Sequence, residues 1–162
     1  MLKTKNSQRH IAVILLDIRS IENVGAIIRT ADGAGVDTVY LVGITPGPID
    51  RFGREVKAFT KASLGAEKAV KIETTKNISS LIKKLKKDKF EIIALEQDKK
   101  SVDYKKIKPK NNFAIILGNE VNGIPKNVFK SVDKIIEIKM KGKKESLNVS
   151  VAFGITIFSL TD

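Results

Sequence analysis

Phe113-Ala-Ile-Ile-Leu-Gly-Asn-Glu-Val-Asn-Gly-Ile124 begins as an unbroken apolar run and stops after Leu117 at a loop of Gly and Asn. A strand with one wet face alternates apolar and polar residues. A run apolar at every position therefore predicts a strand covered on both faces. Similar runs occur at Ile11–Leu16, Thr38–Val42, Ala69–Ile72, Phe90–Leu95 and Lys134–Ile138. Helix-period segments fall between them, near Asn23–Ala34, Arg51–Leu64, Asn77–Lys87 and Leu147–Leu160. Strands alternating with helices predict an α/β domain with a mostly parallel sheet and helices on both faces. No repeat, low-complexity segment or linker divides residues 1–162, so a single domain is expected.

Such a sheet invites a search for nucleotide fingerprints. The only G-x-G, Gly33-Ala34-Gly35, ends a helix instead of following a strand, and no third Gly stands at the required spacing. The dinucleotide-binding and P-loop readings are both rejected.

Composition narrows the chemistry. The chain has no Cys and a single His, His10, which excludes thiolate zinc sites, Cys nucleophiles and multi-His metal centres. No metal is expected. No apolar run reaches the roughly 18 residues of a membrane span. The basic Met1–Arg9 stretch runs into strand-sized Ile11–Leu16 with no small-residue cleavage site, so no signal peptide is read and the cytoplasm is the expected compartment. The net charge of +12 suggests a polyanionic partner, although 25 of the 30 basic residues are Lys, a common solubility device. The densest run, Lys83–Lys89, sits outside Leu81, Ile82 and Leu85 and reads as a solvated helix face.

Three polar clusters stand where folding alone does not require them. In Asn23-Val-Gly-Ala-Ile-Ile-Arg-Thr-Ala31, Asn23 sits where an N-cap belongs. Gly25 lies one turn before Arg29, and a missing side chain there would leave room for a bulky anion to reach the guanidinium; the alternative is a surface Arg beside a tolerated Gly. In Leu117-Gly-Asn-Glu-Val-Asn-Gly-Ile124, two glycines make a loop whose backbone can approach a ligand. Glu120 there could accept from that ligand or orient Arg29; the alternative is a plain turn. In Ile138-Lys-Met-Lys-Gly-Lys-Lys-Glu-Ser-Leu-Asn-Val-Ser-Val-Ala-Phe-Gly154, Ser146 is a candidate N-cap, and four lysines flank a helix N-terminus. The helix beyond it is apolar nearly all round, so it is expected to be buried in the core or against another subunit. Asn148 in its first turn needs a partner.

In that order, N-x-G-A-x-x-R-T-A, L-G-N-E-x-x-G and K-x-S-L-N-V-S-V-A resemble the three signature motifs of the SpoU/TrmH RNA ribose methyltransferases of the SPOUT superfamily. The resemblance runs from about Ile11 to Phe158. Gly65-Ala-Glu-Lys68 and Ala94-Leu-Glu-Gln97 also look like segments of short members. One departure is Ile138-Lys-Met140, where the family often has Ile-Pro-Met.

The resemblance implies a C-terminal trefoil knot, which topology rules alone would not propose. It implies a homodimer with the active site across the interface, RNA (tRNA or rRNA) as substrate and S-adenosylmethionine as cofactor. By motif position, the cofactor contacts would be Leu95, Glu96, Gly118, Asn119, Ile138, Met140, Ser146 and Leu147. Arg29 would be the main catalytic residue, with Asn23, Glu120, Ser146 and Asn148 positioning it and the ribose. A guanidinium stays protonated above about pH 12, so Arg29 is expected to hold the ribose 2′-oxygen and an adjoining phosphate more than to act as a free base. His10 precedes the first strand and is incidental. The alternatives are a catalytically silent RNA-binding protein on this scaffold, which should have lost the Arg29–Asn148 set, and a small-molecule nucleotide enzyme, which would not need the charge.

Overall fold

β1 (Ile11–Leu16) is buried at every position, and its side chains divide between two cores. In the computed structural model, which describes residues 8–162, Ile11, Val13 and Leu15 join one hydrophobic cluster, while Ala12, Ile14 and Leu16 join the other. Successive strand residues point to opposite faces, so each face of the sheet carries its own core. Part of the N-terminal Met1–Arg9 stretch, residues 1–7, lies outside the described residues.

The first core is capped by α1 (Ile21–Gly33), α2 (Lys57–Ser63) and α5 (Val149–Thr161), through Val24, Ile27, Ile28, Phe59, Phe153 and Ile157. The second is capped by α3 (Ile78–Lys87) and α4 (Lys126–Phe129), through Leu81, Ile82, Leu85 and Val128. Burying one such side chain contributes roughly 1.5–3 kcal/mol. The remaining strands are β2 (Thr38–Val42), β3 (Lys71–Thr75), β4 (Glu91–Leu95), β5 (Val102–Asp103), β6 (Phe113–Leu117) and β7 (Lys134–Glu137). They form one seven-stranded sheet in the order β3-β2-β1-β6-β4-β7-β5, and every pairing is parallel. All strands therefore end at the same edge, the edge outside which ligands bind in such sheets.

The expected sheet with helices on both faces is observed; several boundaries differ. The third strand begins at Lys71 rather than Ala69, because a 3-10 turn at Ala66–Lys68 comes first and the Val70 N–H donates back to its Ala66 carbonyl, with both side chains buried. α2 begins at Lys57 rather than Arg51, because residues 49–55 close into their own turn, with Ile49 bridged to Glu55. α1 begins two residues earlier than expected, with Ser20 as its N-cap accepting from the Asn23 N–H at 3.1 Å, so Asn23 is not the cap. Likewise α5 is capped by Asn148 and not by Ser146: the Asn148 side chain accepts from the Ser150 N–H at 2.9 Å. β5 and α4, two and four residues long, are too short to leave a periodic signal. The apolar helix α5 is only half covered. Phe153, Ile157 and Leu160 are buried, whereas Val151, Ile155 and Phe158 remain 50%, 40% and 48% exposed.

Among the described residues, no helix is long and apolar enough to cross a membrane, and no group of three His, Asp or Glu side chains is placed to hold a metal ion.

Candidate active site

A cavity of about 460 Å³ opens where β4, β6 and β7 end. Its wall comes from three loops: Leu95–Gln97 after β4, Leu117–Gly123 after β6, and Glu137–Ala152 from the end of β7 into α5. Each expected cofactor residue lines it: Leu95, Glu96, Gly118, Asn119, Ile138, Met140, Ser146 and Leu147. So do Asn23, Glu120 and Asn148.

The loop after β6 is held by its own side chains. Asn119 Oδ1 accepts from the N–H groups of Val121 (2.9 Å) and Asn122 (3.0 Å), and its Nδ2 donates to the Asp17 carbonyl at 2.7 Å. The Gly123 N–H donates back to the Asn119 carbonyl at 2.9 Å, closing the turn. A Cβ on Gly118 would stand 2.6 Å from the Ile124 nitrogen, so only glycine fits. Gly123 has φ +66° and leaves the space that the Glu96 carboxylate fills. Glu96 accepts there from the Ile124 N–H at 3.1 Å and from the Gln97 N–H at 2.9 Å. The two glycines thus let the loop close on itself and on Glu96, where the sequence suggested a close approach to ligand.

Glu120 is the hub between this loop and α1. Its Oε1 accepts from the Ser20 N–H (3.1 Å) and from Asn23 Nδ2 (3.2 Å), and its Oε2 accepts from the Arg19 N–H at 3.1 Å. Partial burial pushes its carboxyl up, but the backbone donors, its own N–H and those of Arg19 and Ser20, together with Asn23, outweigh this and hold it below the usual carboxylate range. The Arg19, Ser20 and Asn23 donors sit at the N-terminus of α1, where a negative charge is favoured. The link continues to the third loop: Asn148 Nδ2 donates to Asn23 Oδ1 at 3.1 Å. Asn148 therefore has its partner. The chain Glu120–Asn23–Asn148 ties the second loop, α1 and the start of α5 into one wall. Gln97 Nε2, donating to the Glu145 carbonyl at 2.5 Å, ties the first loop to the third.

Arg29 is not in this wall. It lies exposed on α1, about 9 Å along the axis from Asn23 by helical rise. It faces a second cleft with Ala26, Thr30, Gly33, Ala62 and Phe158. It makes no hydrogen bond or ion pair among the described residues, so Glu120 does not orient it within one chain. Gly25 does not open a path to it either. A Cβ there would stand 2.9 Å from the Ser63 nitrogen and closer still to the Ala62 Cβ, so Gly25 lets α1 and α2 pack in contact. Ser146 lines the cavity without capping a helix.

Gln97, Val121, Glu137, Glu145, Val149 and Ala152 also line the cavity and were not singled out from sequence. Glu145 carried a signal: it is the one acid in the stretch Lys139–Ser146. With Glu96, Glu120 and Glu137 it makes the lining acidic, in a chain of net charge +12.

Known proteins share this sequence pattern and fold. A model of the SpoU rRNA Methylase family matches residues 10–158. A Borreliella burgdorferi protein named as an uncharacterized tRNA/rRNA methyltransferase is 36% identical over 99% of this chain and 68% of its own length. The tRNA (guanosine(18)-2'-O)-methyltransferase of Aquifex aeolicus is 30% identical over 93% of this chain and 68% of its own length. An AdoMet-bound rRNA methyltransferase from Sinorhizobium meliloti superposes with a TM-score of 0.84 at 29% identity, covering 93% of this chain and 55% of the solved one. The chain thus spans about two thirds of those relatives and about half of that structure. With the family match running over residues 10–158, this chain belongs to the SpoU rRNA methylase family.

Proposed function

We propose that this protein transfers a methyl group from S-adenosylmethionine to a ribose 2′-hydroxyl of RNA, either tRNA or rRNA. The observation that carries this is the cavity at the ends of β4, β6 and β7, with every motif-implied cofactor residue on its wall. Its volume of about 460 Å³ suits a nucleoside-sized ligand. The lining fits the cofactor chemically. Leu95, Ile138, Met140 and Leu147 offer apolar surface to a purine, and the carboxylates of Glu96, Glu120, Glu137 and Glu145 favour a ligand carrying positive charge. When bound, S-adenosylmethionine supplies an electrophilic methyl on a sulfonium.

The chain's own groups have separable tasks. The loops Leu95–Gln97, Leu117–Gly123 and Glu137–Ala152 hold the cofactor. The Glu120–Asn23–Asn148 link fixes the start of α1. Arg29 donates hydrogen bonds to the ribose 2′-oxygen and an adjoining phosphate, stabilising the charge that develops on oxygen as the hydroxyl proton leaves to water. The exposed lysines 139, 141, 143 and 144, interspersed in sequence with the lining residues Ile138, Met140 and Glu145, supply the attraction for phosphates.

The working unit in this reading is a homodimer. Val151, Ile155 and Phe158 lie four and three residues apart on one face of α5, and a second copy would cover that apolar stripe. Arg29 stands next to Phe158 and away from its own chain's cavity, as a site shared between two copies requires. The trefoil knot, the single domain over residues 1–162 and a cytoplasmic setting belong to the same reading. The contact from Gln97 to Glu145 supports a C-terminal segment held against the loop after β4.

The test is calorimetry with S-adenosylmethionine, followed by tritiated methyl transfer to bulk tRNA and rRNA and nuclease digestion to locate 2′-O-methyl nucleosides. Binding with transfer to a 2′-oxygen is the expected result. Absence of cofactor binding, or methylation of a base instead, overturns it.

A further inference from the structure

The loop between β2 and α2 shows a built feature that neither the fold nor the cavity uses. Residues 49–55, of which Arg51 onward is expected from sequence to be helical, instead wrap around Asp50. Its Oδ1 accepts from the N–H groups of Phe52 (2.8 Å) and Arg54 (2.9 Å), and its Oδ2 accepts from Arg54 Nε at 2.9 Å. The Asp50 N–H donates to the Arg54 carbonyl at 2.9 Å, and the Val56 N–H donates to the Pro48 carbonyl at 2.9 Å. This turn presents Phe52 at its tip, 64% exposed. The Arg51 and Arg54 guanidinium carbons lie 4.7 Å and 5.0 Å from the centre of its ring. A side chain on the neighbouring Gly53 would meet nothing within 4 Å, so the tip of the turn faces open space. Asp50 neutralises Arg54, while Arg51 has no ion-pair partner among the described residues.

An exposed ring with two guanidiniums over it is poorly suited to an apolar protein surface, because docking there would strip water from two charges. It is well suited to a nucleotide, whose base has a face that stacks on an aromatic ring and whose phosphate pairs with a guanidinium. Position agrees. All strands run parallel, so the loop after β2 leaves the sheet at the edge where the cavity opens. Only β1 separates β2 from β6, which puts their ends roughly 10 Å apart.

We infer that the Arg51-Phe52-Gly53-Arg54 turn is a stacking platform for an unstacked base of the RNA substrate, with Arg51 pairing to the neighbouring phosphate. This rests on the reading of RNA as the substrate and adds a residue-level contact that positions it. A base flipped out of a loop, or one in a single strand, fits the platform; a base inside a duplex has no free face.

The probe is a single-stranded RNA of about ten nucleotides carrying one 2-aminopurine, compared with the same strand paired in a duplex. The full chain should bind the single strand and quench its fluorescence. Phe52→Ala should weaken single-strand binding about tenfold and remove the quenching, while duplex binding stays within about twofold. Phe52→Trp should restore both, and Phe52→Leu should restore neither, since it keeps apolar bulk but has no ring face. Because Phe52 sits exposed on a turn, the variants should melt with the wild type. The inference is overturned if the wild type does not quench, if Phe52→Ala binds both probes normally, if it weakens both equally, or if Phe52→Leu restores binding and quenching. Failure of the enzymatic reading is read separately: Phe52-dependent quenching with no S-adenosylmethionine binding sinks the methyltransferase and leaves the platform. Methyl transfer without Phe52-dependent quenching does the reverse.

Discussion

The Gly118–Ile124 loop and the corner around Arg29 lie at opposite ends of one argument. In the loop, the polar side chains are committed within the chain: Asn119 bonds to three backbone groups, and Glu120 accepts from Arg19, Ser20 and Asn23. At the corner, a guanidinium with no partner among the described residues stands beside the half-exposed ring of Phe158. The difference teaches where one copy of the chain is complete. Groups that shape the cofactor cavity are organised before any ligand arrives, which lowers the ordering cost of binding. The group assigned to the chemistry is left unsatisfied, as expected if its partners are the RNA and a second copy.

The sharpest way to break that contrast is Arg29→Ala. Methyl transfer to bulk RNA should fall by on the order of a hundredfold or more. S-adenosylmethionine affinity, read by calorimetry, should stay near wild type because Arg29 does not touch the cavity wall. Equal loss of both would show that the two regions are one.

Gly118→Val should produce the opposite split. Its side chain would enter the space of the Gly123–Ile124 backbone, so cofactor affinity should drop by about tenfold or more, as expected for overpacking costs of roughly 1–3 kcal/mol. A variant with unaltered affinity would mean that the loop does not shape the site.

Mixing these two variants asks whether the site is shared. In a twofold-symmetric dimer assembled at random, half the dimers are mixed and hold one intact site, so transfer at limiting cofactor should recover to about a quarter of wild type. Recovery no greater than the sum of the separate variants would place Arg29 and its cavity in the same copy.

Gly25→Ala probes the scaffold beneath both regions. Its Cβ would press into Ala62 and Ser63, and a cost of roughly 1–3 kcal/mol should lower the melting temperature by several degrees in calorimetry. An unchanged melting temperature would remove the packing account of this glycine.

The smallest effect is expected at Glu120. Its carboxyl titrates lower in the folded chain than in the unfolded one, so it stabilises the fold above the unfolded value, and that contribution is lost as pH falls through the carboxylate range. Glu120→Gln should therefore melt slightly below wild type at neutral pH, by under about 1 kcal/mol, with the gap closing in acid. A gap that widens as pH falls would have the sign wrong.

The cavity was largely legible in the sequence because it is made of loops that directly follow strands. The runs at Phe90–Leu95, Phe113–Leu117 and Lys134–Ile138 announce where three strands end, and parallel pairing brings those ends to one edge. Capping was misread twice for one reason. Asn23 and Ser146 are both good cap types, yet Ser20 and Asn148 also are, and only the backbone path decides which side chain meets the free N–H groups. Gly25 was misread because a missing side chain looks the same in sequence whether it admits a ligand or another helix.

The amino-acid sequence by itself determined the two-sided sheet, the absence of thiol chemistry and the residues whose motifs mark the cavity, because apolar periodicity and residue type are local properties of the chain. Tertiary structure alone decided that Glu120 serves α1 instead of Arg29, that Gly25 belongs to a helix contact, that residues 49–55 turn outward to expose Phe52, and that Arg29 stands outside the cavity. Each of these depends on which distant segments meet across the sheet, and short-range pattern carries no record of that meeting until packing chooses among the partners available.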